Sequence, residues 1–321
     1  MTAILLDREG SEQHRIDRAT LEGRISAKEP FWLDVESPDE EEFQLLRDVF
    51  RFHPLAIEDA QTFHQRPKID DYGDYFLIVV YGAAPPPDKD RLVELHCFYS
   101  EHYLVTVRRE HAPGCHELRE RYTRHPAPLE RPLVVFYRLL DALSDSFYPA
   151  LEDYDERIEA VQEATFRDPS EEQLQGIVAM RRQLNRLRRV VGPQRDLVAQ
   201  LFGGNSPLPA SDLEAERYFR DVYDHLIHVT DLIDGYRDLL SGAMDVYLSA
   251  VSNRLNLVME RLTIISTIAL PLIVITGFFG QNFRWLVAHI DSLAAFLGFA
   301  IAVPIVAALL LLVYLRRHRL L

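Results

Sequence analysis

The chain has 321 residues, 48% hydrophobic and 26% charged, with a formal net charge of −14 and a mean hydropathy of −0.10. This composition excludes a disordered chain, a collagen and a small disulfide scaffold. The acidity argues against a nucleic-acid partner and fits cations. Cys97 and Cys115 show no metal-ligand spacing and read as reduced thiols in a cytosolic part.

Residues 1–130 read as a mixed α/β domain. Strand-like runs are Ala3–Leu6, Phe31–Val35, Tyr75–Tyr81, Leu92–Tyr99 and Tyr103–Val107, with helical patterns over Pro38–Val49 and Ala112–Tyr122. Pro85-Pro86-Pro87-Asp88 marks a hairpin-like loop. No Gly-rich phosphate loop, G-x-S-x-G or paired-Cys motif occurs, and no catalytic constellation, so the chain does not read as an enzyme. From Pro132 one long helical pattern reaches Phe166. Asp168-Pro169 then opens a second helix to Leu201, with an irregularity expected at Gly192-Pro193 and a stop at Gly203-Gly204. These two form antiparallel helical arms, residues 131–208.

The next helix is the most informative. Ser211 and Glu214 form a capping-box pattern, and no proline follows until Pro271. A continuous helix from Ser211 to Phe279 has 69 residues, or about 100 Å at 1.5 Å per residue. Residues 209–261 are its cytosolic stalk, and residues 262–321 read as two transmembrane helices with a short external loop. Leu262 to Phe283 is a run of 22 residues without formal charge, and Ser292 to Leu315 is another. Either run is long enough to cross a hydrocarbon core of about 30 Å. Arg254 and Arg261 precede the first run, and Arg316, Arg317 and Arg319 follow the second. By the positive-inside rule both flanks, and with them both termini, lie in the cytoplasm. The beginning of the chain does not resemble a cleavable signal peptide, so a multi-pass protein of the cytoplasmic (inner) membrane is expected. Residues 262–321 carry four arginines and one aspartate, a net of +3, which leaves −17 on residues 1–261 of a chain totalling −14.

One face of the stalk and first span carries Asp245, Leu248, Ser252, Asn256, Met259, Leu262 or Thr263, Ser266, Leu270, Ile273 and Gly277. The mixture suits a pore, which needs polar rings for a hydrated ion and apolar constrictions that dewet. It suits a coiled-coil seam about equally well. Two spans cannot enclose a pathway, so a pore requires a homo-oligomer.

Gly280-Gln281-Asn282 closes the first span, and here the sequence resembles the CorA family of divalent-cation channels, whose signature is Gly-Met-Asn. Further resemblances are His53-Pro54-Leu55-Ala56-Ile57-Glu58-Asp59 with Gln65-Arg66-Pro67-Lys68, the stretches Tyr218–His225 and Asp245–Asn253, and the basic end. The resemblance covers essentially the whole chain. It implies a funnel-shaped homopentamer in the lipid bilayer, with the first span lining a central pore for Mg2+, and for Co2+ or Ni2+. Gly280, Gln281 and Asn282 would form the mouth. Asp245, Asn256, Met259, Leu262, Ser266, Leu270 and Gly277 would line the pore. Asp59 would face Asp221 of a neighbouring subunit and hold a regulatory Mg2+, with Glu58 and His225 nearby. Oxygen-rich rings suit reluctantly dehydrated Mg2+, and the seam has no Cys or His for soft ligation.

The departures are also informative. Gln281 replaces the methionine, the link Phe283–Asp291 lacks the family's Met-Pro-Glu-Leu, and Arg284 puts positive charge near the entrance. ZntB-type relatives also vary the middle residue and are linked to proton-coupled Zn2+ transport, so that branch stays open. Without the motif, Glu58, Asp59 and Asp221 read as solvated charges, His225 and His228 as half-buried interface residues, and Asn282 as a helix cap. A membrane-anchored scaffold or ion sensor without transport would predict a dry, apolar seam instead.

Overall fold

The computed structural model describes all residues except 1–2, 7–11, 14–16, 86–87, 89–90, 125–130, 203–205, 210–211, 282–283, 290–291 and 318–321. It divides into two compact units, residues 1–164 with 170–244, and residues 165–169 with 245–321.

The first unit is built on strands β1 (Ala3–Leu6), β2 (Glu12–Gln13), β3 (Phe31–Glu36), β4 (Lys68–Asp71), β5 (Phe76–Ala83), β6 (Leu92–Tyr99) and β7 (Tyr103–Arg108). They form one sheet in the order β2-β1-β3-β7-β6-β5-β4, parallel only between β3 and β7. Every residue of β5 and β7 is buried, as expected of strands covered on both faces. The helices interspersed with these strands are α1 (Arg18–Ala27), α2 (Glu40–Phe50) and α3 (Pro54–Thr62), followed by α4 (Cys115–Arg124) and α5 (Pro132–Asp145). On one face Phe52 stacks on Phe98 at 4.2 Å, beside Phe50, Tyr75 and Tyr103. On the other, Tyr99 meets Phe136 of α5. Gly82 lets α5 approach, because a Cβ there would lie 2.7 Å from the Leu143 side chain. The expected strands all occur, and Cys97 and Cys115 are free and buried.

The long helix expected over Pro132–Phe166 is instead three helices: α5, α6 (Phe147–Leu151) and α7 (Tyr154–Arg167). Pro149 has no N–H to give the carbonyl of Asp145, so the ladder breaks there. Ser146 uses the break, accepting the Ala83 N–H at 2.8 Å. Next comes α8 (Glu171–Ala199), which passes through Gly192-Pro193 without the expected interruption. Its buried Gln194 clamps the backbone of Tyr81, accepting from the N–H at 2.7 Å and donating to the carbonyl at 3.0 Å. That satisfies the edge of β5 where β4 has already ended. Gly203 and Gly204 lie outside the described residues.

Helix α9 (Leu213–Phe279) is continuous and belongs to both units. Asp212 caps it, accepting the Ala215 N–H at 2.9 Å; the expected cap, Ser211, lies outside the described residues. The second unit also holds α10 (Arg284–His289), α11 (Leu293–Ala295), a π-helical stretch Phe296–Ala302 and α12 (Val303–Arg317). The wide turns run up to Pro304, which cannot donate to the carbonyl of Ala300. Leu213–Phe278 contains, and Leu293–Arg317 is, a stretch apolar and long enough to cross a membrane.

Candidate functional site

In the second unit, Ile264, Thr267, Ile268, Pro271 and Ile275 of α9 are half-buried. Ile264 and Thr267 line a groove with Tyr314 and Leu315 of α12. The proposed pore residues lie on a different face. Asp245, Asn256, Met259, Leu262, Ser266, Leu270 and Gly277 are all exposed, Met259 by 59% and Leu270 by 65%. Thr263 lines the groove, which leaves Leu262 as the outward member of that pair. Thr263, Thr267 and Thr276 donate their hydroxyls to carbonyls four residues back, so these polar groups are already satisfied. That face mixes polar and large apolar residues and is left uncovered by α12.

Gly280 donates to the Thr276 carbonyl at 2.9 Å, and a Cβ there would stand 3.1 Å from that oxygen. A side chain at 280 would crowd the turn that ends α9. Gln281 is exposed, whereas Asn282 and Phe283 lie outside the described residues. In the same unit Arg254 pairs with Asp168 at 2.5 Å, tying the α7–α8 turn to α9.

In the first unit, His53 caps α3 by accepting the Leu55 N–H at 3.2 Å, and Pro54 opens the helix. This sets Glu58 in solvent and turns Asp59 toward β4, where it pairs with Lys68 at 2.7 Å. Lys68 also binds Asp70 at 2.6 Å. Burial lowers the Lys68 pKa, but the two carboxylates outweigh it and hold the ammonium above its ordinary value. Among the described residues no hydrogen bond joins Asp59 to Asp221 within the chain.

The exposed Asp221 instead belongs to a patch formed by α5 and α9. Asp141 and Asp145 stand one turn apart on α5, and the His225 Nδ1 lies 3.2 Å from Asp145 and 3.7 Å from Asp141. One ligand atom from each of the three lies within 4.8 Å of the others. Burial, the Asp145 charge and more distantly Asp221 push the Asp141 carboxyl above the usual carboxylate range. Asp141 Oδ1 is buried and makes no hydrogen bond. Two carboxylates and an imidazole this close together fit a divalent cation. The sequence reading named His225 and Asp221 but not Asp141 or Asp145. Their only signal was a pair of aspartates spaced i, i+4 on a largely apolar helix.

Residues 27–317 match the family model described as "CorA-like Mg2+ transporter protein". The cobalt/magnesium transport protein CorA of Thermotoga maritima is 31% identical over 262 residues, 80% of this chain and 74% of its own. The YfjQ protein of Bacillus subtilis is 32% identical over 259 residues, 80% of this chain and 79% of its own. The complete CorA structure from Methanocaldococcus jannaschii superposes with a TM-score of 0.82 at 20% identity, covering 99% of this chain and 98% of that one. The ZntB cytoplasmic domain from Vibrio parahaemolyticus shares the fold more distantly, with a TM-score of 0.59 at 14% identity, over 70% of this chain and 88% of its own. The chain therefore belongs to the CorA family of magnesium and cobalt transporters, a family of membrane transport proteins rather than enzymes.

Proposed function

We propose that this protein is a homopentameric channel for divalent-cation influx across the cytoplasmic membrane, carrying Mg2+, and also Co2+ or Ni2+, under control of cytosolic Mg2+. The observation that carries the reading is the exposed face of α9 that points away from its companion span. Five copies of that face would enclose the pathway. Asp245, Asn256 and Ser266 supply oxygens to a hydrated ion, and Met259, Leu262 and Leu270 supply apolar constrictions. Gly280, Gln281 and Asn282 form the mouth. Both termini lie in the cytoplasm, and the four segments divide at residues 130, 208 and 261.

Control resides in the carboxylates. Asp59 faces Asp221 of the next subunit, and Asp141, Asp145 and His225 extend the same acidic patch, with Glu58 nearby. Bare, these groups repel one another. A bound divalent cation supplies the charge that cancels this repulsion and favours the closed, symmetric assembly. To bind it, Asp59 exchanges its Lys68 partner for the metal.

Proteoliposome flux of Mg2+, Co2+ and Zn2+, with and without a pH gradient, tests the reading. Mg2+ and Co2+ uptake that follows membrane potential is expected. Zn2+ uptake that requires a proton gradient would replace it with the ZntB-type mechanism, and no flux would leave a scaffold. The Asp59→Ala/Asp221→Ala variant should lose Mg2+ inhibition and Mg2+-dependent protection from protease. Unchanged inhibition would remove these residues from control.

A further inference from the structure

Residues 1–261 carry a net charge of −17, yet one cavity among them is rimmed by arginines. The hollow, about 490 Å³, lies in the first unit between the β5–β6 hairpin, the segment after α3 and the outer face of α8. Arg91, Arg109, Arg186 and Arg189 line it against only two carboxylates, Glu94 and Glu110. Glu110 is matched by Arg91 at 3.0 Å. Glu94 is committed too, accepting the N–H groups of His64 at 2.6 Å and Gln65 at 3.0 Å and contacting the His96 Nε2 at 2.8 Å.

Three guanidiniums therefore face the hollow without a carboxylate. Arg109 donates to the Gln61 carbonyl at 2.7 Å and lies 4.4 Å from the centre of the Phe63 ring, which fixes its plane. Among the described residues Arg186 and Arg189 have neither a hydrogen bond nor an ion pair. They are one turn apart on α8, about 5–6 Å between Cβ atoms, a spacing that suits neighbouring phosphates. A second hollow shares both and adds Arg182, so the positive strip continues along the helix. The floor is apolar, from Leu92, Val93 and Val190. The wall is a strained turn, with Phe63 at φ 58° and His64 at φ 64°, conformations that non-glycine residues rarely adopt and that the Glu94 carboxylate holds in place.

We infer that this cavity binds a nucleoside polyphosphate, its phosphates on Arg109, Arg186 and Arg189 and its base against the apolar floor. Guanidinium forks match phosphate oxygens in pairs, and three of them suit a chain of phosphates. The volume lies within the usual range for small-molecule sites, about 300–1,000 Å³. No glycine-rich loop is needed, because side chains replace backbone N–H groups as donors. The inference does not rest on the transport reading.

Equilibrium dialysis of radiolabelled ATP against the full-length protein in detergent, at fixed free Mg2+ and roughly 0.15 M salt, tests it. Saturable binding is expected, with competition by tripolyphosphate and much weaker competition by adenosine. Arg186→Ala/Arg189→Ala should weaken it about tenfold or more, and Arg186→Lys/Arg189→Lys by less, since the charge stays and the fork is lost. Arg109→Ala provides a third, independently exposed position. No saturable binding to the unaltered protein would overturn the inference, and so would equal affinity in the alanine variants. Loss of assembly size in the double alanine variant, with no ATP bound by the unaltered protein, would assign the arginines to a contact between copies instead.

Discussion

Arg108 and Asp34 are 1% and 2% exposed and pair at 2.9 Å across β7 and β3. Thr106 donates to Asp34 at 2.7 Å and accepts from the Trp32 indole at 3.0 Å, so the parallel strand pair is fastened by a satisfied polar network. Deleting one partner strands a buried charge, and Glu36, 3.0 Å from Arg108, compensates only in part. Asp34→Ala should cost about 3 kcal/mol, at the low end for broken buried pairs, and its denaturation midpoint measures this. Glu94 adds a dependence on pH. Burial raises its carboxyl, but the His96 ring and the Gln65 amide outweigh that and hold it below its ordinary value. A depressed folded pKa contributes stability above the unfolded value, and the contribution is lost as pH falls through the folded one. Glu94→Gln should therefore destabilise at pH 7 by about 1–3 kcal/mol, with the difference from wild type closing as pH drops below the ordinary glutamate range. A gap that stays constant with pH would assign the loss to packing rather than charge.

At the scale of elements, local pattern and fold agree where burial is simple. The apolar runs of β5, β6 and β7 mark strands because both faces of the sheet are covered, and the capping box of Asp39 and Glu42 starts α2 near where the sequence placed it. The break in Pro132–Phe166 was legible too, through Pro149, but helical periodicity continues on both sides and masks it. Asp141 and Asp145 were not legible, since their significance arises only when α5 packs beside His225, about 80 residues away. The register of the α9 face was readable, while its exposure was not: a period of three to four residues marks a face without saying what covers it. If that face closes a pore, its apolar positions are the gate. Leu270→Asn should admit water at the constriction and leave Mg2+ uptake severalfold above wild type at cytosolic Mg2+ levels that shut the unaltered protein. Flux matching wild type across the whole Mg2+ range would take Leu270 out of the gate.

Over the whole molecule, charge is sorted in a way that bears on entry. Residues 1–261 hold −17, whereas the link between the spans holds Arg284 and Asp291. Arg284 opens α10 and is exposed, only a few residues beyond Gly280. In the proposed pentamer it would become five positive charges near the proposed mouth. Such a ring lowers the local concentration of the substrate and its rate of arrival, without altering how the pathway recognises the ion. Arg284→Glu would reverse all five charges of that ring. Initial Mg2+ uptake should then rise severalfold at low ionic strength, while the ratio of Mg2+ to Co2+ uptake stays unchanged. Salt separates this from a structural effect: the Debye length falls from about 30 Å at 0.01 M to about 3 Å at 1 M. The advantage of the variant should shrink as salt is raised and vanish near the upper limit. An uptake gain that persists in high salt would mean that residue 284 shapes the mouth itself, and a fall in uptake would mean that the arginine holds the link in place.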